Sequence, residues 1–199
     1  MPDTTIRLAE ERDAVALADI YRPSVVGAAT SFELEAPSET EMAERLAAIR
    51  TYAPWIVLEH GGEVIGYAYA SKHNERAAYQ WSVDVTVYIR QRHHRRGVGR
   101  GLYTSLFALL RLQGFYTACA GIALPNPASV GLHESLGFRP VGVYRAVGHK
   151  LGGWHDVGWW LLALREREGV PAPPLTLEQA KASPGFDAAC VQGLGELRL

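Results

Sequence analysis

The interval 90–101 reads RQRHHRRGVGRG and sets Arg90, Arg92, Arg95, Arg96 and Arg100 around Gly97 and Gly99. Glycine lets a backbone turn sharply and approach a ligand closely. An alternating apolar run precedes the interval, and a helical pattern with Leu102, Tyr103, Leu106, Leu109 and Leu110 follows it. The turn therefore delivers the chain into a helix N-terminus, where unpaired N–H groups and the positive end of the dipole favour a phosphate. No Lys-Ser/Thr follows the glycines, so this is not a Walker A loop. The strand-first βαβ unit with an acidic residue about 20 positions on, which a dinucleotide site needs, is also missing. A solvated arginine loop with structural glycines is the plainer alternative.

The surrounding elements must position this turn. Residues 5–9 read as a strand. Asp13 opens an amphipathic helix with Val15, Leu17, Ala18 and Ile20 toward the core, stopped by Pro23. Ser38 and Glu41 form a capping-box pattern for a second helix running to about Tyr52. Strands follow at 55–60 and 63–71 around the Gly61-Gly62 turn, with a bulge expected at Gly66. A strand at 81–90 puts Val83, Val85 and Val87 on one face. After the arginine turn and its helix, closed by Gly114, come a buried-type strand at 116–124 and a short helix from Pro127 to Gly137. Two last strands, 138–149 and 154–164, are joined around Gly152-Gly153. The order predicts an α/β domain, a mixed sheet with helices on both faces, over residues 1–165. Residues 166–199 contain Pro171, Pro173, Pro174 and Pro184 and are expected to be a mostly extended Pro-rich tail.

Composition sets the class. The chain has 199 residues, 48% apolar and 21% charged, with a net charge of −1. That balance is globular and gives no overall attraction to nucleic acid or an anionic membrane. No apolar run approaches the ~20 residues needed to span a bilayer. Two cysteines, Cys119 in an apolar run and Cys190 in a polar tail, suggest no disulfide scaffold. With no apolar segment at the N-terminus resembling a secretory signal, a cytoplasmic location is expected. The histidines show no metal-ligand spacing, so no metal is expected. Ser129 and Cys119 sit in no nucleophile pattern, which disfavours a covalent acyl-enzyme.

Arg95, Arg96, Gly97, Val98, Gly99 and Arg100, following TVYI at 86–89, resemble the acetyl-CoA motif of the GNAT N-acetyltransferase superfamily. NPAS at 126–129 with LHESLGF at 132–138 resembles its second motif. The closer resemblance is to the phosphinothricin/methionine sulfoximine acetyltransferase group, through RAAY at 76–79, GIALPN at 121–126 and GHKLGGWHDVGW at 148–159. It covers residues 4–164 and implies a GNAT-type mixed, mostly antiparallel twisted sheet. It also implies acetyl-CoA as co-substrate, a small amino-acid-like amine as acceptor, and a homodimer. On that resemblance Val87, Tyr88 and Ile89 would offer backbone groups to the pantetheine arm, and residues 95–100 would cradle the pyrophosphate. Asn126 would hydrogen-bond the pantetheine, with Ser129 beside it. Arg76, Ala78 and Tyr79 would line the acceptor pocket, Arg76 meeting an acidic group. Lys150 and His155 would belong to a hairpin closing that pocket. His94 stands where Gln or Arg is usual.

Acetylating an amine requires its proton to be removed first, because an α-amino group has a pKa of roughly 8. Asp84, on the strand before the arginine turn, is the candidate base. Similar proteins often carry Glu there, so the carboxylate is set back by about one C–C bond. Such a displacement can cost on the order of 100-fold unless compensated, for example by a bridging water. Its structural alternative is a turn cap or an arginine partner. His133 occupies a position where related enzymes often have a thiolate-protonating tyrosine, and histidine can exchange protons near neutral pH. Its alternative is a packed helix histidine bonded to a carbonyl. Trp81, Trp154, Trp159 and Trp160 are expected as core or dimer contacts. Other acceptor amines, or a non-catalytic CoA-binding module, are the competing functions. Nucleic-acid binding lacks a basic face and aromatic platforms beside the arginines.

Overall fold

Continuous apolar runs bury the central strands of the sheet on both faces. In the computed structural model, which describes residues 3–199, seven strands form one sheet in the order β1-β2-β3-β4-β5-β7-β6. They are β1 (Thr4–Leu8), β2 (Trp55–His60), β3 (Glu63–Lys72), β4 (Ser82–Ile89), β5 (Thr117–Leu124), β6 (Arg139–Lys150) and β7 (Gly153–Ala163). Every neighbouring pair is antiparallel except β4–β5, which is parallel and connected through α3 (Val98–Gln113). The expected mixed, mostly antiparallel sheet is the one observed.

The run WIVL in β2 shows how both faces are filled. Ile56 and Leu58 enter one core with Val83, Leu102, Leu106 and Leu110 of β4 and α3. Trp55 and Val57 enter the other, against α1 (Ala14–Val26) and α2 (Glu39–Ile49), through Leu17, Met42 and Leu46. Ser38 and Glu41 make the expected reciprocal cap, Glu41 N–H to Ser38 Oγ at 3.2 Å and Ser38 N–H to Glu41 Oε2 at 2.8 Å. The register shift opposite Leu58 and Glu59 falls at Ile65–Gly66, where the bulge was expected.

Two expectations about α1 need correction. Pro23 lies inside the helix and does not stop it; the helix closes at Gly27, whose N–H bonds the Pro23 carbonyl. Pro23 and the residue four before it, Asp19, both face solvent, so the carbonyl freed by the missing N–H can be hydrated. Val15 is 48% exposed rather than in the core.

The C-terminal segment is the larger correction. Only its first part is irregular, as its prolines require, with the Leu175 N–H bonded to the Gln113 carbonyl at 2.7 Å. The rest forms α5 (Leu177–Lys181), α6 (Phe186–Val191) and a 3-10 turn at Gln192–Glu196. Thr176 caps α5 reciprocally with Gln179. Leu177, Ala180, Phe186, Ala189 and Cys190 are buried in the α3-side core. Cys190, expected in a polar tail, is thus a core residue, and both thiols are free. Proline density masked a weak helical pattern whose apolar face belongs to the domain itself.

Candidate active site

The parallel β4–β5 pairing spans only Ser82–Thr117, Val83–Ala118 and Asp84–Cys119. Beyond that rung each strand keeps its other partner, β3 or β7, and the two diverge. The wedge between them is a cleft of about 1620 Å³. Val87, Tyr88 and Ile89 line one wall and Gly121, Ile122 and Ala123 the other. Arg95, Gly97, Val98, Gly99 and Arg100 close one end, and Asn126, Ser129 and His133 of α4 (Pro127–Ser135) and its cap lie alongside. Every residue expected to hold the cofactor lines this cleft except Arg96.

The turn into α3 is built for an anion. Gly97 sits at φ +79° and Arg95 at φ +64°, both left-handed. No acidic side chain occupies the first turn of α3. Arginines beside the positive end of a helix dipole repel it unless a negative group lies between them. Two of the arginines are turned elsewhere: Arg90 Nε lies 3.0 Å from Glu63 Oε1, and Arg92 also pairs with Glu63. Arg95, Arg96 and Arg100 remain at the turn, Arg100 donating to Ser135 Oγ at 2.8 Å. Gly99 serves packing rather than close ligand approach, since a Cβ there would stand 3.1 Å from both Ile89 and Leu132. His94 turns back to donate to the Ile89 carbonyl at 3.0 Å. Asn126 Oδ1 accepts from the Ser129 N–H at 3.1 Å, capping α4.

Asp84 stands on the last β4–β5 rung, half-buried, and Oδ1 lies 2.7 Å from His73 Nδ1. Burial pushes its carboxyl above the ordinary value, against the opposing pull of His73. Its partner is a histidine, neither the turn nor the arginine of the structural alternative, brought from the end of β3 by the antiparallel register Ser71–Asp84. Sequence reasoning passed over His73 because only strand pairing joins positions 11 apart. Cys119 completes a group in which the side-chain ligand atoms of His73, Asp84 and Cys119 lie within 4.8 Å of one another. Burial pushes the Cys119 thiol up to about 12, which keeps it protonated near neutral pH.

His133 is buried, with Nδ1 2.8 Å from the Ser129 carbonyl and Nε2 3.1 Å from the Tyr103 hydroxyl. A carbonyl only accepts, so Nδ1 carries the proton and neutral Nε2 accepts from Tyr103. Burial lowers the pKa of His133, favouring this neutral form.

The acceptor residues are less gathered. Arg76, Ala78 and Tyr79 lie on an exposed turn at 76–79, outside the cleft, with the Tyr79 ring 5.9 Å from that of His73. Lys150 is corrected: it is buried, and Nζ donates to the Ser31 carbonyl at 2.6 Å, so it fastens the loop after α1 to the β6–β7 hairpin. His155 likewise donates within the hairpin, to the Lys150 carbonyl at 2.9 Å. A smaller cavity of about 280 Å³ lies on the α1–α2 side, lined by Tyr21, Arg45, Trp55, Tyr67, Tyr69 and Tyr88. Tyr88 borders both cavities. Trp81 donates to the Ala172 carbonyl, Trp160 is core, Trp159 covers Gly121, and Trp154 is 68% exposed.

The wedge thus opens between two parallel strands and ends on a cation-ringed helix start. The Acetyltransferase (GNAT) domain family model matches residues 6–159. The chain belongs to the GNAT acetyltransferase family. It is 43% identical over 169 residues to a phosphinothricin N-acetyltransferase of Streptomyces viridochromogenes, covering 85% of this chain and 90% of that protein. It is 32% identical to an L-methionine sulfoximine/L-methionine sulfone acetyltransferase of Salmonella typhimurium, over 84% of this chain and 99% of that protein. Among solved structures, a GNAT phosphinothricin acetyltransferase of Sinorhizobium meliloti in complex with acetyl-CoA superposes with a TM-score of 0.79 at 32% identity, covering 87% of this chain and 98% of that one. As a GNAT enzyme the chain is an acetyl-CoA-dependent N-acetyltransferase.

Proposed function

We propose that this GNAT enzyme acetylates the amino group of a small anionic amino acid of the phosphinothricin or methionine sulfoximine type, by direct attack in a ternary complex. The observation that carries this reading is the Asp84–His73 pair on the rung where the β4–β5 wedge closes. The names of the relatives supply the acceptor class. Acetyl-CoA enters as substrate and contributes an acetyl group activated as a thioester. Asp84 removes a proton from the ammonium, one carboxylate oxygen held by His73 Nδ1–H and the other left as the acceptor atom. His73 holds the carboxylate in one orientation on that rung. The amine nitrogen then bonds the acetyl carbon as the C–S bond breaks, and the thiolate takes up the second proton that the nitrogen loses. His133 acts in its neutral form, holding the Tyr103 hydroxyl at the cleft wall. Arg76, on the exposed turn whose Tyr79 ring approaches His73, meets the acidic group of the acceptor.

Steady-state kinetics across a panel of amino acids tests the reading. Turnover of methionine sulfoximine or phosphinothricin, with intersecting double-reciprocal lines, is expected. Parallel lines would replace direct transfer with an acyl-enzyme. A protein that binds acetyl-CoA but acetylates no amine would be a non-catalytic binding module.

We also propose that the enzyme is a homodimer through β6 and β7. β6 is an edge strand, and Val141, Val143, Tyr144, Val147 and Trp154 are exposed along this hairpin. No helix of the described residues is long and apolar enough to cross a membrane. Two free, buried thiols fit a reducing cytoplasm.

A further inference from the structure

The C-terminal turn returns to the phosphate-binding end of the cleft, although the family match ends at residue 159. Its path is set by backbone contacts that leave no room for side chains. A Cβ on Gly101 of α3 would lie 2.7 Å from the Gly193 carbonyl oxygen, and one on Gly193 would overlap the Gly101 carbonyl. The Gly193 N–H donates to the buried Ser105 Oγ at 2.9 Å. Three residues on, the Glu196 carbonyl occupies the space a Cβ on Gly97 would need. The Arg198 N–H then donates to the Arg96 carbonyl at 2.9 Å, one residue before the left-handed glycine of the turn.

Glu196 and Arg198 both line the cleft with Arg95, Gly97 and Arg100. Arg95, Arg100 and Arg198 line this end of the cleft, with Glu196 the acid nearest them, and Arg96 adjoins them without lining it. The Glu196 carboxylate lies 3.9 Å from Arg100 Nε. Among the described residues, no carboxylate lies within ion-pair distance of the exposed Arg198 guanidinium. An uncommitted arginine sewn by its own backbone to an anion-binding turn is placed to share that anion.

We propose that the C-terminal turn is part of the coenzyme site: Gly193 seats it on α3, and Arg198 binds a phosphate of acetyl-CoA. The inference rests on the acetyl-CoA reading above and deepens it. The phosphate is either one of the diphosphate or the 3′-phosphate, which are alike in charge and in the planar hydrogen bonding that arginine supplies.

Calorimetric titration of the full chain with acetyl-CoA tests this, with steady-state kinetics alongside. Arg198→Ala is expected to weaken acetyl-CoA binding about ten-fold and raise its KM to match, with kcat unchanged. Arg198→Lys should recover part of the loss. Gly193→Ala, which must lift the turn off α3, should weaken binding at least as much. Gly195→Ala, whose Cβ meets nothing within 4 Å and which takes no part in either contact, should bind as the parent does. Dephospho-CoA separates the two phosphates when titrated against parent and Arg198→Ala in parallel with CoA. A penalty that persists assigns Arg198 to the diphosphate, and one that vanishes assigns it to the 3′-phosphate. If the parent binds acetyl-CoA and both Arg198→Ala and Gly193→Ala bind it equally well, the proposal is overturned while the enzyme reading stands. If the parent itself shows no binding, the acetyl-CoA reading falls with it.

Discussion

At the residue scale, the proposed chemistry involves two ionisable groups that burial shifts in opposite directions. Desolvation raises Asp84, only partly opposed by His73. A base must be ionised to act, so kcat/KM should fall as pH drops through a value above the roughly 3.9 of a free aspartate. His73→Leu removes the contact that pulls Asp84 down and should move this acid limb to higher pH, with a loss of rate. Asp84→Asn should lower kcat/KM by about 100-fold or more, and Asp84→Glu should keep a working base. A pH–rate profile of the three variants checks this. His133 is displaced the other way, burial lowering its pKa. Its unfolded form takes up a proton near pH 6.5 while the folded form resists, so its contribution to stability is present above about pH 6.5 and is lost as pH falls through the folded pKa. Urea midpoints between about pH 7 and about pH 5 should show that loss in the parent and less of it in His133→Gln. The placement of Asp84 at the wedge and of His133 at the cleft wall was legible in the sequence, because the arginine turn follows the one and the NPAS stretch precedes the other. His73 was not, because nothing local marks it and only the β3–β4 register brings it to Asp84.

At the element scale, the wedge was largely readable and the tail was not. Alternating valines, a glycine turn and an apolar helix announce β4 and α3 directly, because backbone conformation there follows local pattern. The failures share one cause: a local signal was overruled by tertiary context. Pro23 reads as a stop, but its side of α1 faces water, where a missing hydrogen bond costs little. The prolines after residue 170 read as an extended chain, while Leu177, 1% exposed, is packed against the α3 core. Leu177→Ala should therefore cost about 2–5 kcal/mol in denaturant unfolding. Val170→Ala, at a position 98% exposed, should change stability by less than about 0.5 kcal/mol. An unstructured tail would make the two substitutions equivalent.

At the scale of the molecule, the sheet separates two tasks. One face packs α3 and the C-terminal helices and supports the phosphate turn. The other packs α1 and α2 beside the aromatic cavity bordered by Tyr88. The exposed apolar hairpin of β6 and β7 lies outside both. Light scattering of the parent should give twice the chain mass, and Tyr144→Asp with Trp154→Glu should give the monomer. In the sequence a homodimer is implied only by family resemblance, because exposed Val143 and Trp154 look like any alternating strand until the fold leaves them uncovered. The three-residue parallel seam between β4 and β5 carries one more implication. Whatever threads the wedge tip-first must stop where Asp84 and Cys119 rejoin the strands, so the seam acts as a ruler for acyl length. Propionyl- and butyryl-CoA would have to prise that rung apart, and each added methylene should slow transfer in turn.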